Sequence, residues 1–107
     1  MAGLTNKEAL TNLKKLKRKL NNQFKIQKFM LFGSRARGDW LLNSDVDIIL
    51  VSNDFKKLKF KERCAEVIGY WNSPIDLEPL CYTLEEFKRK SKEIGIVKQA
   101  IKEGINI

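Results

Sequence analysis

Residues 31–51 read "LFGSRARGDWLLNSDVDIILV", and they restrict the fold more than any other part of the chain. An apolar strand, "IQKFMLFG", ends at Gly33, and a second, "DVDIILVS", begins about a dozen residues later. A connection this short permits a tight antiparallel return. The second strand also carries two carboxylates into an apolar run. Burying an unpaired carboxylate is costly. Asp45 and Asp47 therefore either point at water or hold something positive. Strand alternation places both on one face, with Val46, Ile48 and Leu50 on the other. Ile49 and Val51 continue the aspartate face, so that face is wet only where the strand begins.

The rest of the chain supplies helices to cover such strands. "TNKEALTNLKKLKRKLNNQF" has Leu10, Leu13, Leu16 and Leu20 on one side and lysines around the remainder, the pattern of an amphipathic helix. Thr5 and Glu8 have capping-box spacing, as do Thr83 and Glu86. "NDFKKLKFKERCAEVIGYW" predicts one helix, with Asn53 or Asp54 as its cap. "SPIDLEPL" predicts a third strand, at the sheet edge or a strand end because of Pro79. A helix follows from Leu84 to about Ser91, then a last helix over "IGIVKQAIKEG" closed by Gly104, then a strand stub, "INI". The order is α-β-(turn or short α)-β-α-β-α-α-β. It predicts an α/β chain, in the α+β sense: a small mixed sheet flanked by helices. The 107 residues suffice for one domain with one core, spanning 1–107.

Composition narrows the chemistry. There is no histidine, so histidine general bases, nucleophile activation and metal ligation are excluded. Cys64 and Cys81 have no cysteine or histidine neighbours and make a poor zinc site. Buried free thiols in an intracellular, cytoplasmic protein are expected. The longest apolar runs are far too short to span a bilayer, and no signal peptide is visible at the start. The net charge of +8 favours an anionic partner, although a lysine-rich surface also serves solubility.

Carboxylates, hydroxyls, lysine and arginine remain. Asp76 and Glu78 share a face of the third strand. If that strand lies beside the second, Asp76 completes a three-carboxylate cluster with Asp45 and Asp47, and a divalent cation is the simplest relief for its repulsion. Gly33 lets the backbone approach a ligand closely. Ser34 is suited to cap a short helical turn through Arg35, Ala36 and Arg37. Such a turn offers N–H groups to an anion, and Arg35 and Arg37 add phosphate donors. Together these features describe a nucleoside triphosphate site. The plainer alternatives stay open. Asp76 could be a solvated edge residue, with Glu78 the only nearby substitute. Arg35 and Arg37 could be surface charges. Trp40 could stack on a base or anchor its loop. Tyr70 and Trp71 could pack at a helix end, and the basic first helix could be solvated or face nucleic acid.

Gly33-Ser34, ten residues, then Asp45-x-Asp47 resembles the signature of the DNA polymerase β-like nucleotidyltransferase superfamily. With "FGSRARG" and the following "SD", the chain is most similar to the minimal nucleotidyltransferases, from about Thr5 to the "KEGI" ending. The resemblance implies a polymerase β palm-like fold and a magnesium-dependent reaction. Asp45, Asp47 and Asp76 would ligate two Mg2+ ions and be the catalytic residues. Gly33 and Ser34 would hold the β- and γ-phosphates of ATP or another NTP, with Arg35 and Arg37 neutralising charge. The chain also resembles members that act as antitoxins, some of which transfer AMP to a tyrosine of a HEPN-type toxin. A partner toxin, or a homodimer or hetero-oligomer, is therefore expected. The rival expectations are an antitoxin that masks its toxin by binding alone and a basic nucleic-acid-binding module.

Overall fold

A computed structural model describes residues 3–107. The chain runs α1 (Asn6–Asn21), β1 (Lys28–Phe32), α2 (Ser34–Arg37), β2 (Val46–Val51), a 3-10 turn (Asn53–Lys57), α3 (Phe60–Gly69), β3 (Leu77–Tyr82), α4 (Leu84–Lys92), α5 (Ile96–Glu103) and β4 (Ile105–Asn106). The four strands lie in the order β3-β2-β1-β4. β1 and β2 pair antiparallel, as their short connection requires, and β4 pairs antiparallel on the far side of β1. β2 and β3 are parallel and need the crossover that α3 supplies. The sheet is therefore mixed and flanked by helices, as the sequence predicts.

Both faces of the sheet are covered. Leu13, Leu16 and Leu20 of α1 and Val67 of α3 pack on Leu31, Ile48 and Leu50. On the opposite face, Phe87 of α4 and Val97 and Ala100 of α5 pack on Met30, Phe32, Ile49 and Val51. This second layer explains why β2 is apolar on both faces beyond Asp47. Chain closure there is tight. A Cβ on Gly104 would come within 2.5 Å of the Met30 sulfur and of the Ala100 carbonyl, so only glycine joins α5 to β4 at this distance.

Both predicted capping boxes form. Thr5 Oγ1 accepts from the Glu8 N–H at 3.2 Å, while Glu8 accepts from the Thr5 N–H at 2.9 Å; Thr83 and Glu86 repeat the exchange. The helix expected over residues 53–71 is instead broken at Leu58-Lys59. Ser52, rather than Asn53 or Asp54, provides the capping oxygen, accepting from the Asp54 N–H. Arg63 Nε donates to the carbonyls of Phe55 and Leu58, both at 2.9 Å. The break thus ends in satisfied backbone groups. The same guanidinium pairs with Glu86 at 2.6 Å and ties the turn to α4.

Pro79 lies within β3, at the sheet edge. The N–H groups of Val46 and Ser52 donate to the carbonyls of Asp76 and Tyr82. Even-numbered residues of this strand therefore turn their peptide groups to β2. Pro79 faces outward, where its missing N–H costs no ladder bond. Cys64 and Cys81 are free thiols, and burial, with Cys64 beside it, pushes the Cys81 thiol up. Among the described residues no helix is long and apolar enough to cross a membrane.

Candidate active site

The opening of β2 brings the carboxylates together. Asp47 is half-buried, opposite Phe32 of β1 on one side and Glu78 of β3 on the other. Asp45 is exposed one residue before the strand. The Glu78 carboxyl is in hydrogen-bonding contact with both aspartates. Burial, then contact with Glu78, then the charge of Asp45 push the Asp47 carboxyl up to about 7, with Arg37 opposing. Desolvation and Glu78 also raise Asp45, against the pull of Arg35. At neutral pH this group of acids is under-neutralised and attracts cations.

The third strand brings Glu78 to this corner in addition to the expected Asp76. The carboxyl pressed against the pair belongs to Glu78, because the parallel register sets Asp47 opposite it. Asp76 stands just ahead of β3, exposed, with its carbonyl accepting from the Val46 N–H at 2.9 Å. Continuing the register places it beside Asp45. Among the described residues no three acids form a ready-made metal-ligand cluster. The donors are nevertheless of the hard oxygen type that suits Mg2+.

Gly33 joins this acidic corner to a cavity. Its φ of 75° and ψ of −157° lie where side chains are strained. Any Cβ there would overlap the Asp47 carboxylate. The carbonyl of Gly33 starts α2 by accepting from the Ala36 and Arg37 N–H groups, each at 3.0 Å. Gly33 is therefore the cap, and Ser34 is the first helical residue rather than the cap expected from sequence. Gly33, Ser34, Arg37 and Asp47 line a cavity of about 360 Å³, whose opposite wall is Ile96, Gln99 and Glu103 of α5. A larger cavity, about 560 Å³, lies between Lys19, Asn22, Tyr70 and Trp71, away from the carboxylates.

Arg35 does not fit the phosphate role expected of it. It is 1% exposed. Its guanidinium donates to the carbonyls of Leu4 at 2.8 Å, Leu42 at 3.2 Å and Ser44 at 2.9 Å, and Trp40 stacks 5.4 Å from it. These bonds spend the donors on the Leu4 carbonyl and on the 38–44 loop, the segment that presents Asp45. Trp40 is thereby a loop anchor. Arg37, by contrast, is at the cavity rim, exposed and paired with Asp39 and Glu103. Sequence reasoning missed Glu103. Its signals were its place in the "KEGI" ending and the spacing of Ile96, Gln99 and Glu103, which places all three on one face of the last helix.

Known proteins resemble this chain in sequence and in fold. The sequence pattern defining the family described as "Nucleotidyltransferase domain" matches residues 13–103. A Methanocaldococcus jannaschii protein described as a "putative protein adenylyltransferase" is 32% identical over 60 residues, covering 54% of this chain. The match spans 61% of that relative's length. A crystal structure of a "putative nucleotidyltransferase" from Sulfolobus solfataricus superposes with a TM-score of 0.62 at 23% identity, over 91% of this chain and 79% of that one; it supports the fold. With 13–103 matched, the chain belongs to the nucleotidyltransferase domain family.

Proposed function

We propose that this chain transfers AMP from ATP to a hydroxyl of a partner protein, in a magnesium-dependent reaction. The observation that carries this reading is the contact between the Gly33 backbone and Asp47. The glycine turn and the Asp47 carboxylate thereby line one cavity. In the reaction, an acceptor hydroxyl attacks the α-phosphorus in line, the P–O bond to the β-phosphate breaks, and pyrophosphate leaves. Gly33, Ser34 and Arg37 hold the outer phosphates. Asp45 and Asp47 would hold two Mg2+ ions, with Asp76 as third ligand and orienter of the hydroxyl; Glu78, opposite Asp47, would compete for that place. When bound, the ions supply charge stabilisation for the attacking and leaving oxygens. The chain's own part is positioning.

A cavity of about 360 Å³ is near the lower end for small-ligand sites, so the acceptor is presented from outside. On the family resemblance, that acceptor is a tyrosine of a HEPN-type toxin, and the protein is its antitoxin. The named relative supports protein as the acceptor class, through its own description. The test is incubation of the protein with Mg2+, ATP labelled at the α-phosphate and the candidate toxin. Label on the toxin, lost in Asp47→Ala, is the expected result. Neutralisation of the toxin that survives Asp47→Ala without label transfer would replace catalysis with masking.

A further inference from the structure

Glu103 ends α5 with its carboxylate inside the phosphate cavity. Its Oε1 accepts from the Gly33 N–H at 3.3 Å and from Arg37 Nη1 at 3.1 Å. Gln99 Nε2 donates to its other oxygen at 3.4 Å. The Glu103 side chain is 14% exposed, so it lies in the cavity wall rather than in solvent. An anionic oxygen held by a glycine N–H and a guanidinium has the chemistry of a bound phosphate oxygen.

We infer that Glu103 is an internal stand-in for the polyphosphate, and therefore determines how tightly the site holds phosphate ligands. This inference rests on the nucleotidyltransferase reading. Nucleotide enters by displacing the carboxylate from Gly33 and Arg37, and Arg37 exchanges one anion for another. After transfer, Glu103 competes with the pyrophosphate for the same two donors and hastens its release. The cost is weak affinity for bare phosphate anions. The carboxylate both occupies their donors and repels their charge.

The test is calorimetric titration of inorganic pyrophosphate, with Mg2+ present, into the wild type, Glu103→Gln, Arg37→Ala and the double variant. Glutamine keeps the shape and removes the charge. Glu103→Gln is expected to bind pyrophosphate about tenfold more tightly, a difference of about 1.4 kcal/mol, and the gain is expected to disappear in the Arg37→Ala background. Unchanged or weaker binding by Glu103→Gln, beside measurable wild-type binding, overturns the inference and makes Glu103 a residue that positions Arg37. Absence of binding to every variant overturns the nucleotidyltransferase reading and the inference with it. Should Glu103→Gln fail to fold, hydrogen exchange of the wild type decides. Faster exchange over residues 96–106 on adding pyrophosphate supports displacement, and unchanged or slower exchange refutes it.

Discussion

Asp47 sits between Phe32, Glu78 and the Gly33 backbone, and its carboxyl is raised from 3.8 to about 7. The folded chain therefore holds this proton more tightly than the unfolded chain does. The associated stability is fully present below about pH 3.8 and is lost as pH rises through about 7. In metal-free buffer, Asp47→Asn is expected to melt higher than the wild type at pH 8, by roughly 1 kcal/mol or a few degrees. That advantage should shrink towards pH 5. Thermal melts across pH in chelator check it; identical pH profiles would show that the acidic corner carries no strain. The two neighbouring arginines separate by the same kind of measurement. Arg35→Ala leaves several buried carbonyls without donors and is expected to cost roughly 2–4 kcal/mol. Arg37→Ala should leave the melting temperature nearly unchanged while weakening nucleotide binding. Asp45, Asp47 and Gly33 were legible in the sequence because alternation and spacing fix them locally. The role of Arg35 was not legible, since its partners at Leu4 and Leu42 come from chain brought near only by folding.

At the scale of elements, apolar periodicity and the two Thr–Glu capping boxes revealed α1 and α4. Pro79 revealed an edge strand. The break ahead of α3 escaped, because it depends on Arg63 reaching back to two carbonyls, a tertiary effect. The acid opposite Asp47 is a matter of register. Asp76 and Glu78 share a strand face, and only the parallel pairing of β3 decides which of them touches the pair. Single variants distinguish their roles. Asp76→Asn is expected to abolish label transfer while leaving the melting temperature unchanged. Glu78→Gln is expected to relieve repulsion, lowering the Asp47 value in an NMR titration; full activity in Asp76→Asn would assign the third ligand to Glu78. The β1–α2 junction gives a further prediction. Gly33→Ala adds a methyl at positive φ and into Asp47. It is expected to cost at least about 1 kcal/mol and to eliminate nucleotide binding, as read by melts and titration.

Across the whole molecule, helices cover both faces of the sheet, and the candidate site residues gather at the end of β1, the beginnings of β2 and β3 and the facing side of α5. The chain carries a net charge of +8, which favours an anionic ligand, while the acids at the start of β2 favour a cation. The central claim is that Asp45 and Asp47, together with the Gly33 turn, bind a metal–nucleotide complex. Calorimetric titration of ATP with and without Mg2+, on the wild type and Asp47→Ala, tests it most directly. Binding that requires Mg2+ and vanishes in Asp47→Ala is the predicted result; ATP binding that persists in Asp47→Ala, or is indifferent to Mg2+, would contradict it.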